Sequence, residues 1–245
     1  MERGRHGLST GDPSGVALSR TRRRDGVSLR LGLGLLLLTL VAAACDAQDL
    51  LTADVEGSGT VITQTRDVSG FTEVLLASSG DVVVSVTGTD SVIIEAEDNI
   101  MQLLTTEVVD GRLELQATDS FQTDIGVRYT ITVADLVGIE IAGAGDVAAT
   151  GVDADSFDVT ISGAGSATLE GASHDLTVSI SGAGDVDAED LLARNVSVRI
   201  DGAGDAVVHA LAQLAVFIDG AGDVEYVGNA ALDETINGSG EVRKR

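Results

Sequence analysis

The chain has 245 residues, a formal net charge of −24, four Phe, two Tyr, no Trp and one Cys. A balance this acidic repels nucleic acid and anionic lipid headgroups and favours cations or cationic partners. A single cysteine excludes an internal disulfide, and so few aromatic residues argue against a sugar cleft built on aromatic platforms.

Residues 1–30 are polar and carry Arg20, Arg22, Arg23, Arg24 and Arg30. An apolar run from Leu31 to Ala44 follows, with Cys45 directly after it. A basic region, a short apolar core and small residues at the boundary describe an export signal over 1–44, too short and one-sided for a membrane span. Val41-Ala42-Ala43-Ala44-Cys45 resembles the bacterial lipobox, in which the cysteine becomes the lipidated N-terminus. On that reading Cys45 is the lipid-attachment residue and the membrane is the first partner. The plainer alternative is A-x-A cleavage at Ala42 and Ala44, which cuts the same bond and leaves Cys45 a bystander. In a two-membrane envelope, Asp46 directly after the cysteine resembles an inner-membrane retention signal. Residues 45–56 read as an acidic tether. Without the leader, 8 basic and 36 acidic residues remain, a net of −28. Solubility alone accounts for such a charge; recognition of cationic partners is the alternative.

Residues 57–140 hold β-like segments without a clean repeat: Val82–Val86, Ser91–Glu95, Arg112–Gln116 and Val127–Val133. Asp110-Gly111 between two of them predicts a tight hairpin. The segment 99–108 has room for one helical turn. Val55-Glu-Gly-Ser-Gly-Thr-Val61 and Leu76-Ala-Ser-Ser-Gly-Asp-Val82 are degenerate copies of a phrase that dominates the second half of the chain.

From residue 137 this seven-residue phrase recurs six times, starting at Ile141, Ile161, Ile180, Ile200, Ile218 and Ile236. The starts are 20, 19, 20, 18 and 18 residues apart, and each reads Ile-x-Gly-Ala-Gly-Asp-Val or a close variant. Apolar residues stand two and four positions before most of these isoleucines (Ile139 and Val137, Val159 and Phe157, Val178 and Leu176) with polar residues between. Period-two alternation marks a strand with one buried face. Gly-Ala-Gly is expected to turn a corner through positive φ, and the acid after it to bond nearby backbone N–H groups as in Asx turns. A second short strand then carries Val147, Ala167, Val186, Ala206 and Val224. A third ladder is expected at Val152, Ala172, Leu191 and Leu211, with all length variation just after it. One rung cannot bury its own face but several stacked rungs can. The fold class is therefore all-β, a parallel β-helix of 18–20 residues per rung, with hairpin excursions in the N-terminal half, forming one domain over 57–245 with tandem repeats over 137–242. Glu234 and Lys244 replace apolar residues in the last rung, as a charged cap would.

The run GFTEVLLASSGDVVVSV, the DGRLELQ hairpin and VRYTITVADLVGIEIAGAGDV with its tandem ISGAGD phrases resemble one bacterial family, the putative auto-transporter adhesin, head GIN domain. The resemblance covers about residues 57–242. It implies a parallel β-helix on extracytoplasmic, often lipid-anchored proteins.

Asp146, Asp185, Asp205, Asp223 and Glu241, with Ser166 in register, should form a column one rung apart. Stacked carboxylates about 5 Å apart repel by about 1 kcal/mol per pair near a surface. Either the acids serve as turn caps with solvated charge, or a cation relieves the repulsion, in which case oxygen ligands suit calcium. The Ile141, Ile161, Ile180, Ile200, Ile218 and Ile236 ladder supplies rigidity. His174 and His209 have no evident nucleophile or acid partner, and no phosphate loop, zinc spacing or Ser/His/Asp arrangement appears. No catalytic residue or resident metal is assigned. The expected function is a non-enzymatic, lipid-anchored envelope module with an envelope protein or glycan as partner and no nucleic acid. The alternatives are a β-helical polysaccharide lyase or hydrolase and a calcium-stabilised structural domain.

Overall fold

The structure, a computed structural model, describes residues 54–245, and these form one compact unit. The leader, Cys45 and the tether up to residue 53 lie outside the described residues.

In the N-terminal part the strands are β1 (Val55–Glu56), β2 (Val61–Arg66), β3 (Glu73–Leu76), β4 (Asp81–Val86) and β5 (Ser91–Glu97). They continue with β6 (Leu104–Val109), β7 (Arg112–Ala117), β8 (Phe121–Gln122) and β9 (Arg128–Val133). The repeats supply β10 (Gly138–Ile141), β11 (Val147–Ile161), β12 (Ala167–Ile180) and β13 (Val186–Ile200). They end with β14 (Ala206–Ile218), β15 (Val224–Val227), β16 (Ala231–Ile236) and β17 (Val242–Lys244). No helix occurs among the described residues; the helical turn expected within 99–108 is a hydrogen-bonded turn over 98–103, with Met101 N–H donating to Glu97 C=O and Leu103 N–H to Ile100 C=O, both at 2.8 Å.

The repeats stack in parallel with the repeat length as their register. Leu115, Leu76, Ile141, Ile161, Ile180, Ile200, Ile218 and Ile236 pair in that order as one aliphatic ladder. All are at most 1% exposed except Ile236, at 38%, where the stack ends. Opposite it, Tyr129, Val82, Val147, Ala167, Val186, Ala206, Val224 and Val242 make a second ladder. The two inner faces close on each other as a β-solenoid of about five turns.

The four central coils, β11 to β14, are each one long bent strand of 13 to 15 residues, whereas the last coil is split into the short β15 and β16 as expected. Register slips between Ala149 and Val152, Thr168 and Glu170, Ala188 and Leu192, and Ala193 and Asn195 bend the long strands and absorb the difference between 18 and 20 residues. A one-residue slip moves side chains to the opposite face. The third ladder is corrected accordingly: Val152 and Leu191 are buried, but Ala172 and Leu211 face solvent while Ser173 and Ala210 turn inward. Val137 is likewise exposed, and Leu136 takes its place in the core.

The N-terminal part stacks out of chain order. β3 and β4 lie between the rung of β7 and β9 below and the rung of β10 and β11 above. After laying down β3 and β4 the chain drops through antiparallel β5 and the β6–β7 hairpin, returns beneath, then climbs past its own earlier rung. Asp90 holds that crossing: its carboxylate accepts the amides of Gly70 at 2.7 Å and Ala134 at 3.0 Å. The hairpin turn is built as the sequence predicts, with φ of 52° at Asp110 and 83° at Gly111. Of the two degenerate phrases, Leu76–Val82 is a true rung. Val55–Val61 is not: Val55 and Glu56 pair with Phe121 and Gln122 in a separate two-stranded sheet.

Candidate functional surface

The Gly-Ala-Gly corners work by contact, not by backbone handedness. None of their glycines lies in the positive-φ region. A Cβ on Gly163, Gly182, Gly202 or Gly220 would overlap the carbonyl oxygen of Gly143, Gly163, Gly182 or Gly202, one rung below. The second glycines obey the same rule, Gly165 over Gly145 and Gly184 over Gly165. Backbone therefore lies directly on backbone, and amides such as Ala183 N donate to Gly163 C=O at 3.1 Å. In the lowest such corner Ser78 and Gly80 receive Gly143 and Gly145.

The acids after these corners cap the rung above instead of their own turn. Asp146 Oδ1 accepts Ser166 N–H at 3.0 Å, and Asp185 Oδ1 accepts Asp205 N–H at 2.8 Å. Asp205 accepts Asp223 N–H at 2.7 Å, and Asp223 accepts Glu241 N–H at 2.8 Å. Each carboxylate gains a charge-assisted bond that offsets repulsion from its neighbours. Ser166 interrupts the series, so the amide of Asp185 has no carboxylate beneath it. At the top, Arg243 pairs with Asp223 at 3.1 Å and with Glu241, and Arg245 reaches Glu189 at 2.6 Å. Lys244 stands in register with Tyr226 and Glu234 with Val216, so charged side chains close the last rung. Among the described residues no group of three or more His, Cys, Asp or Glu is disposed to hold a metal ion.

One buried acid escapes sequence reading. Glu97, 3% exposed, accepts Gly59 N–H at 2.6 Å and the Thr123 hydroxyl at 2.5 Å. It borders a cavity of about 620 Å³ shared with Glu56, Gly57, Gln122 and Asp124. Its partners lie 38 and 26 residues away, so no local pattern announces it. With both oxygens engaged by neighbouring loops, Glu97 acts as a clasp that holds the entry segment against the solenoid base.

The outward faces differ from rung to rung. Arg199 lies 4.4 Å over the Phe217 ring and makes two 2.7 Å bonds to Asp201. His174 contacts Asp175 at 3.0 Å, and Asn195 donates to the same carboxylate at 2.8 Å; the Asn195 bond, then that of His174, holds the Asp175 carboxyl below its ordinary value. His209 Nδ1 meets the Glu189 carbonyl at 3.1 Å.

Stacked coils with a repetitive core and varied polar exteriors define a parallel β-solenoid. Comparison with known families then places the chain: it belongs to the family described as putative auto-transporter adhesin, head GIN domain, which matches residues 70–230. Among solved structures it is similar to a putative adhesin from Bacteroides fragilis, with 24% identity, a TM-score of 0.63, and coverage of 78% of this chain and 100% of that one. Two Parabacteroides distasonis proteins, one described as a putative lipid binding protein and one as a putative adhesin, each show 19% identity and a TM-score of 0.49, covering 79% of this chain and 100% of theirs. No curated protein matches the chain.

Proposed function

We propose that the chain is a non-enzymatic, lipid-anchored, extracytoplasmic adhesin-like module of the bacterial cell envelope. Cys45 carries the anchor and the residues between it and Asp54 the tether; the expected tether is shortened at its end, because Val55 and Glu56 pair with Phe121 and Gln122 in the folded unit. The carrying observation is the contrast between uniform inward ladders and outward positions that change in every rung, such as Thr160, Ser179, Arg199 and Phe217. Ladders, corners and caps hold the stack, which leaves the varied outward positions free to recognise a partner. An adhesin-family domain points to an extracellular or surface location.

Mass spectrometry of the mature N-terminus tests the anchor: a diacylated or triacylated Cys45 is expected, and an unmodified residue there would sink it. A glycan array run beside a polysaccharide turnover screen tests the activity class. Binding without turnover supports the module, whereas release of oligosaccharides would establish an enzyme.

A further inference from the structure

Asn237-Gly238 is the one Asn-Gly pair in the chain, and it occupies the second and third positions of the last corner phrase. The rungs below hold Ala142, Ser162, Ser181, Asp201 and Asp219 at the position of Asn237, so a carboxamide precedes a corner glycine only here. The glycine is not free to change. A Cβ on Gly238 would overlap the carbonyl oxygen of Gly220, as in the corners beneath it. Stacking therefore fixes the residue type whose amide nitrogen is least hindered, and an asparagine before it completes a reactive pair. Gly163, Gly182, Gly202 and Gly220 are half-buried, whereas Asn237, Gly238 and Ser239 are all exposed. Their rung is also loosely held: Leu232 is 39% and Ile236 38% exposed, while Leu214 and Ile218 beneath them are at most 1%. Low apolar burial marks a segment that opens locally without global unfolding, and such opening brings the Gly238 nitrogen to the Asn237 side chain.

We infer that Asn237 is a site of spontaneous deamidation. The Gly238 amide nitrogen attacks the Asn237 side-chain carbonyl carbon. A C–N bond forms, the bond to the side-chain nitrogen breaks, and that nitrogen leaves as ammonia together with the Gly238 amide proton. Water then opens the five-membered imide at either carbonyl, giving aspartate or isoaspartate with no change of oxidation state. Aspartate adds a carboxylate in line with Asp201 and Asp219. Isoaspartate routes the main chain through the side-chain carbon and lengthens it by one methylene. Two backbone bonds bracket that insertion, Asn237 N–H to Ile218 C=O at 2.8 Å and Ser239 N–H to Gly220 C=O at 2.9 Å, and a longer spacer cannot serve both. The modification loosens the last rung and leaves those beneath it intact. This chemistry does not depend on what the outward faces bind.

The test ages the full chain in detergent micelles at physiological pH and temperature. Peptide mass spectrometry, with fragmentation that separates aspartate from isoaspartate, then maps the products. A gain of about 1 Da at Asn237, the exchange of NH2 for OH, is expected in the native chain. Asn99, Asn195 and Asn229 precede Ile100, Val196 and Ala230, and their side chains bond to Glu56, Asp175 and Lys244. Reaction at Asn237 should outpace theirs by about tenfold or more, because only glycine leaves the attacking nitrogen unhindered. Asn237→Gln, whose side chain is too long for the five-membered ring, should abolish the gain. In the isoaspartyl fraction the amides of residues 237 and 239 should lose protection from hydrogen exchange, and in the Asn237→Asp variant they should keep it. No gain at Asn237 in the native chain while the urea-unfolded chain reacts, equal rates at all four asparagines, or a gain that survives Asn237→Gln would overturn the site. Isoaspartate with both amides still protected would overturn the loosening of the rung.

Discussion

In residues 138–242 every strand pairs in parallel with the strand one repeat away, and the corners rest backbone on backbone. In residues 54–133 antiparallel β2, β5 and β6 flank parallel pairs, and two rungs are stacked out of chain order. The repeat half is fixed by steric identity from copy to copy, so its corner glycines cannot tolerate a methyl group. The N-terminal half is fixed by particular long-range contacts, Asp90 across the crossing loops and Glu97 across the entry segment, and its exposed turns use glycine for backbone handedness. The same residue type thus has two physical meanings in one chain.

Substituting one glycine of each kind exposes that difference most strongly. Gly184→Ala forces a methyl group into the Gly165 carbonyl and should cost about 3 kcal/mol or more, or prevent folding. Gly59→Ala, at φ 78° with nothing within 4 Å of the added carbon, should cost only about 1–2 kcal/mol. Denaturant midpoints would measure both, and equal losses would erase the distinction. Next in size is the ladder. Ile180→Ala in mid-stack should cost about 2–5 kcal/mol, and Ile236→Ala in the half-exposed last rung well under half of that.

Smaller effects come from the carboxylate series. Asp205→Ala leaves the Asp223 amide without its acceptor and should cost about 1 kcal/mol. Ser166→Asp should recover part of such a bond at the interrupted rung, reduced by repulsion from Asp146 and Asp185. The smallest is seen only in alkali. Burial holds the Tyr129 hydroxyl above its ordinary pKa, partly countered by Ser78. The unfolded chain therefore loses this proton first. Stability associated with neutral Tyr129 is complete below about pH 10 and declines as pH rises from there through the folded-state value. Tyr129→Phe should flatten that part of the stability–pH curve, and an unchanged alkaline decline would assign it to other groups.

Much of this architecture is legible in the chain because a repeated phrase gives its own register: each Ile pairs with the next Ile. The β4, β5, β7 and β9 segments and the Asp110-Gly111 turn are legible for local reasons, alternation and turn chemistry. The role of Gly-Ala-Gly is not, because glycine needed for positive φ and glycine needed for a close neighbour look alike until the neighbour is known. The acids are open to the same confusion, since an Asx turn and a cap on the next rung use one side chain at one position. Simple alternation misplaces Ala172 and Leu211 because bulges shift phase without marking the sequence. The stacking of β3 and β4 between later strands, and the burial of Glu97, depend on contacts across tens of residues and leave no local signature.

Amide hydrogen exchange at the corners tests most directly whether each rung caps and carries the next. The amides of Ser166, Asp205, Asp223 and Glu241, each bonded to the carboxylate below, should be protected, while that of Asp185 above Ser166 should exchange markedly faster. Uniform exchange across all five, or protection of Asp185 equal to the rest, would contradict rung-on-rung capping.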